Sequence, residues 1–259
     1  MKIVLLHEIL ILLIASFGAG TLGSLLGLGG GFIIVPTLTF MSLNPSQIAS
    51  TSLFAVFSTS ASSTLAYARQ KRIDYVLGIK FAAFTMPGAI LGAYISSFLS
   101  MPEFKFYFVL ILVGTAIYIL RKNTLKERSR LHLKGIMALC YASSFFAGVL
   151  ASLFGIGGGV IFVPIMVALL RMSMHKSAPT SQFILLISSI VGLFTHVALG
   201  HPDYFIAAII VAGAFGGAQL GSMLLLTIKE KILQTLLSIG LLAVAVKLLG
   251  DEFFFMLNR

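Results

Sequence analysis

Apolar residues run along this chain in blocks of 13 to 25, separated by short polar or glycine-rich stretches. The blocks fall at residues 3–26, 30–43, 47–68, 75–99 and 104–121, and again at 135–154, 158–170, 178–199, 204–228 and 232–249. A membrane-crossing helix needs about 20 mainly apolar residues, so most blocks are long enough to cross. Open strands leave their backbone unsatisfied in lipid, so the blocks predict helices. The expected fold is therefore an all-α polytopic membrane protein with eight to ten helical segments. The blocks at 30–43 and 158–170 are too short to cross: at about 1.5 Å per residue they rise only about 20 Å. Each follows a glycine cluster and reads as a broken or re-entrant piece.

The pattern is a duplication. At an offset of 128, the stretch from Gly20 to Pro36 (GTLGSLLGLGGGFIIVP) lies over the stretch from Gly148 to Pro164 (GVLASLFGIGGGVIFVP). At an offset of 129 the register continues: Ala49, Thr51, Ser52 and Phe54 meet Ala178, Thr180, Ser181 and Phe183, and Asp74 meets Asp203. The sequence thus divides into a first transmembrane repeat (1–121), a basic linker (122–134) and a second repeat (135–259) within one membrane domain. The N-terminal stretch resembles a signal peptide, but its partner at 135–154 lies inside the chain, so residues 3–26 are expected to be retained.

Composition agrees with the pattern. Of 259 residues, 58% are hydrophobic and only 10% are charged, and the mean hydropathy is +1.05, values no soluble surface tolerates. The net charge of +10 does not indicate nucleic acid, because the basic residues sit in short loops where they orient membrane helices. Arg69, Lys71 and Arg72, the linker cluster from Arg121 to Lys134, and Arg171, Lys176, Lys229 and Lys231 hold 13 of the 18 basic residues. Placing them all on the cytoplasmic side requires the two repeats to be inverted, with both termini outside. Cys140 is the only cysteine, which leaves no disulfide, redox pair or thiolate metal cage within one chain. Only one of the eight acidic residues, Glu8, falls inside an apolar block, so a carboxylate relay is not expected. No grouping of His, Asp, Glu and Cys predicts a metal, a cofactor or an intramembrane enzyme.

The candidate site is the pair of glycine clusters. A helix N-terminus exposes about four unpaired N–H groups and roughly half a positive charge, and glycine lets an anion reach them. Substrate donors are therefore expected from Gly29, Gly30 and Gly31 and from Gly157, Gly158 and Gly159. Close packing is the competing reading of these glycines, and the better one for Gly88, Gly92, Gly217 and Gly221. Thr51 and Ser52, with Thr180, Ser181 and Gln182, follow the short segments and join the candidate binding set as neutral donors. Gln219 could line the same cavity or bridge two helices. His196, one turn from a helix end, reads as an interfacial residue, with proton coupling the second reading. Asp74 and Asp203 are expected to cap helices.

With these motifs in view, the chain resembles the sulfite exporter TauE/SafE family, also called the toluene sulfonate uptake permease family, over nearly its whole length. The resemblance implies a carrier or facilitator that moves sulfite, a sulfonate, another organosulfur anion or a related carboxylate across the bacterial plasma membrane. Its partners would be the small anion, the bilayer and a coupling proton or sodium ion. An anion channel, a membrane scaffold and an intramembrane enzyme are the competing classes.

Overall fold

The structure is a computed structural model that describes residues 6–41, 43–122 and 133–233, with a few further positions between 235 and 243. The expected linker and most of the tenth block, 232–249, lie outside the described residues. Among the described residues nine helices are defined: α1 (Leu6–Leu26), α2 (Gly31–Thr39), α3 (Pro45–Arg69), α4 (Tyr75–Ser96), α5 (Met101–Lys122), α6 (Leu133–Phe154), α7 (Gly159–Ala168), α8 (Met174–Ala198) and α9 (Tyr204–Leu224). No strand occurs among the described residues. Five of the helices, within α1, α4, α6, α8 and α9, are long and apolar enough to cross a membrane. The chain is a multi-pass membrane protein.

Local chemistry sets the helix boundaries. Asn44 accepts a hydrogen bond from Gln47 N (2.9 Å), Gln47 Oε1 accepts one from Asn44 N (3.1 Å), and Pro45 occupies the first turn, so α3 opens on a complete capping box. Asp74 caps α4 by accepting from Leu77 N at 3.0 Å, and Asp203 caps α9 by accepting from Phe205 N and Ile206 N at 3.1 Å each. At the breaks, Gly27, Gly29 and Gly30 all have φ between +76° and +84°, and Gly155 and Gly157 lie at +71° and +73°. Residues with a Cβ rarely adopt this region, so the glycines end α1 and α6 and reverse the chain.

α3 is 25 residues long but rich in Ser and Thr. Its hydroxyls face protein rather than lipid: Ser50, Thr51, Ser52, Thr59, Ser60, Ser62 and Ser63 are all fully buried. Ser58 Oγ donates to Val211 O (2.8 Å), and Ser62 Oγ donates to Phe215 O (2.9 Å). Those two bonds advance together along both chains, so α3 and α9 run parallel. Gln219 Nε2 donates to Ser62 Oγ at 2.9 Å and to Ser62 O at 3.2 Å, the helix-bridging alternative foreseen for it.

The arrangement has a two-fold character, and it is exchanged between the halves. The most extensive packing joins α1 to α9 and α4 to α6, which are equivalent pairs under the duplication, followed by α3 with α9, α3 with α8 and α4 with α8. Asp74 N donates to Thr180 Oγ1 (3.1 Å), and Asp203 N donates to Thr51 Oγ1 (3.2 Å). The loop after α3 therefore lies beside the start of α8, and the loop after α8 beside the start of α3. The two equivalent helices run antiparallel.

Close backbone approach makes the large interfaces possible. A Cβ on Gly88 or Gly92 would run into the carbonyl of Phe145 or Val149 on α6, and one on Gly217 or Gly221 into that of Phe17 or Thr21 on α1. These four glycines are packing residues, as the small-xxx-small spacing predicts.

Candidate functional site

Two helical hairpins, α1 with α2 and α6 with α7, turn at the glycine clusters, and their tips meet inside the protein. A Cβ on Gly31 would strike Gly155 O, and one on Gly159 would strike Gly27 O. Within the first hairpin, Gly30 lies against the backbone of Ala19 and Gly23 against that of Gly30, so α2 doubles back along α1. With 9 and 10 residues, α2 and α7 are too short to cross and re-enter instead.

The serines predicted for the site hold these tips in place. Ser52 Oγ donates to Gly155 O (2.8 Å), and Ser181 Oγ donates to Gly27 O (2.7 Å), each helix gripping the hairpin of the other half. Gln182 Nε2 donates to Gly23 O at 2.6 Å, while its Oε1 is buried with no partner among the described residues. Thr51 and Thr180 point to the loops ahead of α9 and α4, as described above, and not to the glycines. The structure thus brings Gly29–Gly31, Gly157–Gly159, Ser52, Ser181 and Gln182 into one buried junction, with Thr51 and Thr180 on its flanks.

The N–H groups of Gly31, Phe32, Gly159 and Val160 open α2 and α7 with no backbone acceptor among the described residues. Thr59 Oγ1, likewise buried and unpartnered, lies 3.4 Å from the place a Cβ on Gly30 would take. Val56 packs against both Gly29 and Gly157. The six predicted glycines are not equivalent. Gly158 has φ −68°, and a Cβ there would meet only the edge of the Phe162 ring, whereas Gly31 and Gly159 face backbone. A cavity of about 10 Å³, roughly the room of one water, lies beside Gly157 between Ser152, Ser188 and Ser189. The tips are closed on one another.

Two residues outside the predicted set repeat one interaction in both halves. Tyr67 on α3 donates its hydroxyl to Ser24 O (3.0 Å), and at the equivalent place on α8, His196 Nε2 lies 3.0 Å from Ser152 O. His196 is fully buried, not interfacial. Its position near the end of α8 suggested the interface, but α6 covers the ring there. The sequence signal was present: Ser24 and Ser152 match at the first offset and Tyr67 and His196 at the second.

These features define a class: a multi-pass membrane transporter built on crossed re-entrant hairpins. The chain belongs to the sulfite exporter TauE/SafE family, whose model it matches over residues 12–248. It is 32% identical to the probable membrane transporter protein YunE of Bacillus subtilis, over 94% of this chain and 98% of that protein. A probable membrane transporter protein of Methanocaldococcus jannaschii is 29% identical over 88% of this chain and 90% of its own length. The probable membrane transporter protein YfcA of Escherichia coli is 23% identical over 93% and 90%. No solved structure matches the chain.

Proposed function

We propose that this protein is a secondary carrier for a small anion, most simply sulfite or an organosulfonate, and that the anion binds between the two hairpin tips when they part. The observation that carries the reading is the meeting of two helix N-termini, from α2 and α7, at one buried junction whose leading N–H groups lack backbone acceptors. Both positive helix ends then act on one ligand without a buried Arg or Lys. As the tips separate, the hydroxyls of Ser52 and Ser181 leave their carbonyls and become donors. The closed tips favour a carrier over an open pore, since a cavity of about 10 Å³ has no room for a sulfonate. The loop charges support a reading of the halves as inverted repeats in the bacterial plasma membrane, with the loop holding Arg69, Lys71 and Arg72 facing the cytoplasm.

Flux into liposomes holding the purified protein tests this, with sulfite, sulfoacetate, taurine and small carboxylates as candidates. At least one anion should show saturable uptake and counterflow. Ser181→Ala should weaken its binding by one to two orders of magnitude, since a donor to a charged ligand contributes about 1.5–3 kcal/mol. Absence of flux for every anion, or normal affinity in the variant, would move the site elsewhere.

A further inference from the structure

A continuous line of hydrogen-bonding groups leads from the protein surface to the glycine junction. Exposed Ser97, just after α4, has its Oγ 3.1 Å from His201 Nε2. His201 Nδ1 lies 2.8 Å from His196 Nδ1, and His196 Nε2 lies 3.0 Å from Ser152 O and 3.3 Å from Ser152 Oγ. Ser152 in turn borders the cavity beside Gly157. A carbonyl can only accept, so His196 carries its proton on Nε2. Its Nδ1 is then an acceptor, His201 must donate from Nδ1, and His201 Nε2 is left to accept from the Ser97 hydroxyl. The line therefore has a single polarity, pointing inward.

We propose that Ser97, His201, His196 and Ser152 form a proton path by which a proton enters the glycine junction together with the anion. This rests on the carrier reading above. A proton arriving at His201 Nε2 drives the Nδ1 proton of that ring onto His196 Nδ1. The Nε2 proton of His196 passes to Ser152 Oγ, whose own proton moves to water in the cavity. One proton enters and one leaves at each step, and no electrons move. The physical need is plain: an anion buried in a low-dielectric junction is costly, and a proton delivered beside it offsets the charge.

Burial holds the His201 ring below its ordinary pKa, so it is neutral at rest and ready to accept. Among the described residues no acid or base other than the two rings is hydrogen-bonded to this line. Asp203, two residues on, turns its carboxylate to the N–H groups of α9. In the first half, Tyr67 makes the corresponding bond to Ser24, and a phenol there does not titrate near neutral pH. The path is one-sided, through α8.

The full chain in liposomes decides it, with the membrane potential held at zero by valinomycin and potassium and sulfoacetate as the probe. Sulfoacetate is fully ionised near neutral pH, so it cannot bring the proton itself. With the outside one pH unit more acid, the wild type should accumulate it about tenfold, the ratio one coupled proton sustains. His196→Tyr, which copies the first half, and His201→Gln should both equilibrate at a ratio of one. Tyr67→Phe should keep the gradient. A wild-type ratio of one, or accumulation retained in either histidine variant, overturns the path. If sulfoacetate does not move even at equal pH, the anion reading suffers, and nitrogen NMR of labelled histidines decides the path alone. Nε2–H on His196 with Nδ1–H on His201 upholds it, and the opposite tautomer on His196 rejects it.

Discussion

At the scale of single residues, neighbouring glycines in α9 carry different obligations. An added Cβ at Gly217 collides with the backbone carbonyl of Phe17, whereas at Gly216 it would make ordinary contact with the Phe17 ring at 3.7 Å. Gly217→Ala should therefore destabilise the protein by about 1–3 kcal/mol, as overpacking does, while Gly216→Ala should be close to neutral. Thermal unfolding of the two variants in detergent measures the difference. Equal melting would mean that α1 and α9 sit farther apart than described. The same distinction separates Gly31 and Gly159, which touch backbone across the junction, from Gly158, which does not. A run of three glycines looks uniform in a sequence, and only the neighbours reveal which of them are indispensable.

Among the helices, the caps show how far local chemistry reaches. Asp203 both caps α9 and hands its own N–H to Thr51, tying the α8–α9 loop to the start of α3. Asn caps as well as Asp, and Ala does not cap, so Asp203→Asn should keep both fold and flux, while Asp203→Ala should cost about 0.5–2 kcal/mol. Complete loss of flux in a folded Asp203→Asn protein would reveal a functional acid. Such caps were legible in the sequence, as were the helix boundaries, because they depend on neighbours a few residues apart. The short segments were legible as incomplete crossings for the same reason. The targets of Ser52, Thr51 and Gln182 were not: their partners are more than 100 residues away, and a hydroxyl at helical spacing looks the same whether it faces a ligand, a carbonyl or its own helix. His196 misled because closeness to a helix end suggested the surface, while burial was decided by α6.

For the whole molecule, antiparallel α3 and α8 require the loops around Gln70 and Asp203 to face opposite sides of the membrane. Single cysteines at these two positions, with Cys140 replaced, should react with impermeant reagents from opposite faces, and labelling from the same face would exclude the inverted arrangement. The exchanged pairing of α1 with α9 and of α4 with α6 also bears on how the protein is made. Synthesis runs from the N-terminus, so α1 enters the bilayer about 200 residues before the helix that covers its glycine face is complete. During that interval Gly20 and the hydroxyls of Ser52, Ser58 and Ser62 have no final neighbours, and lipid or the insertion machinery must shield them. Folding of the first half waits on translation of the second, so a ribosome that stalls midway leaves an orphan with polar groups in the membrane and little stability of its own.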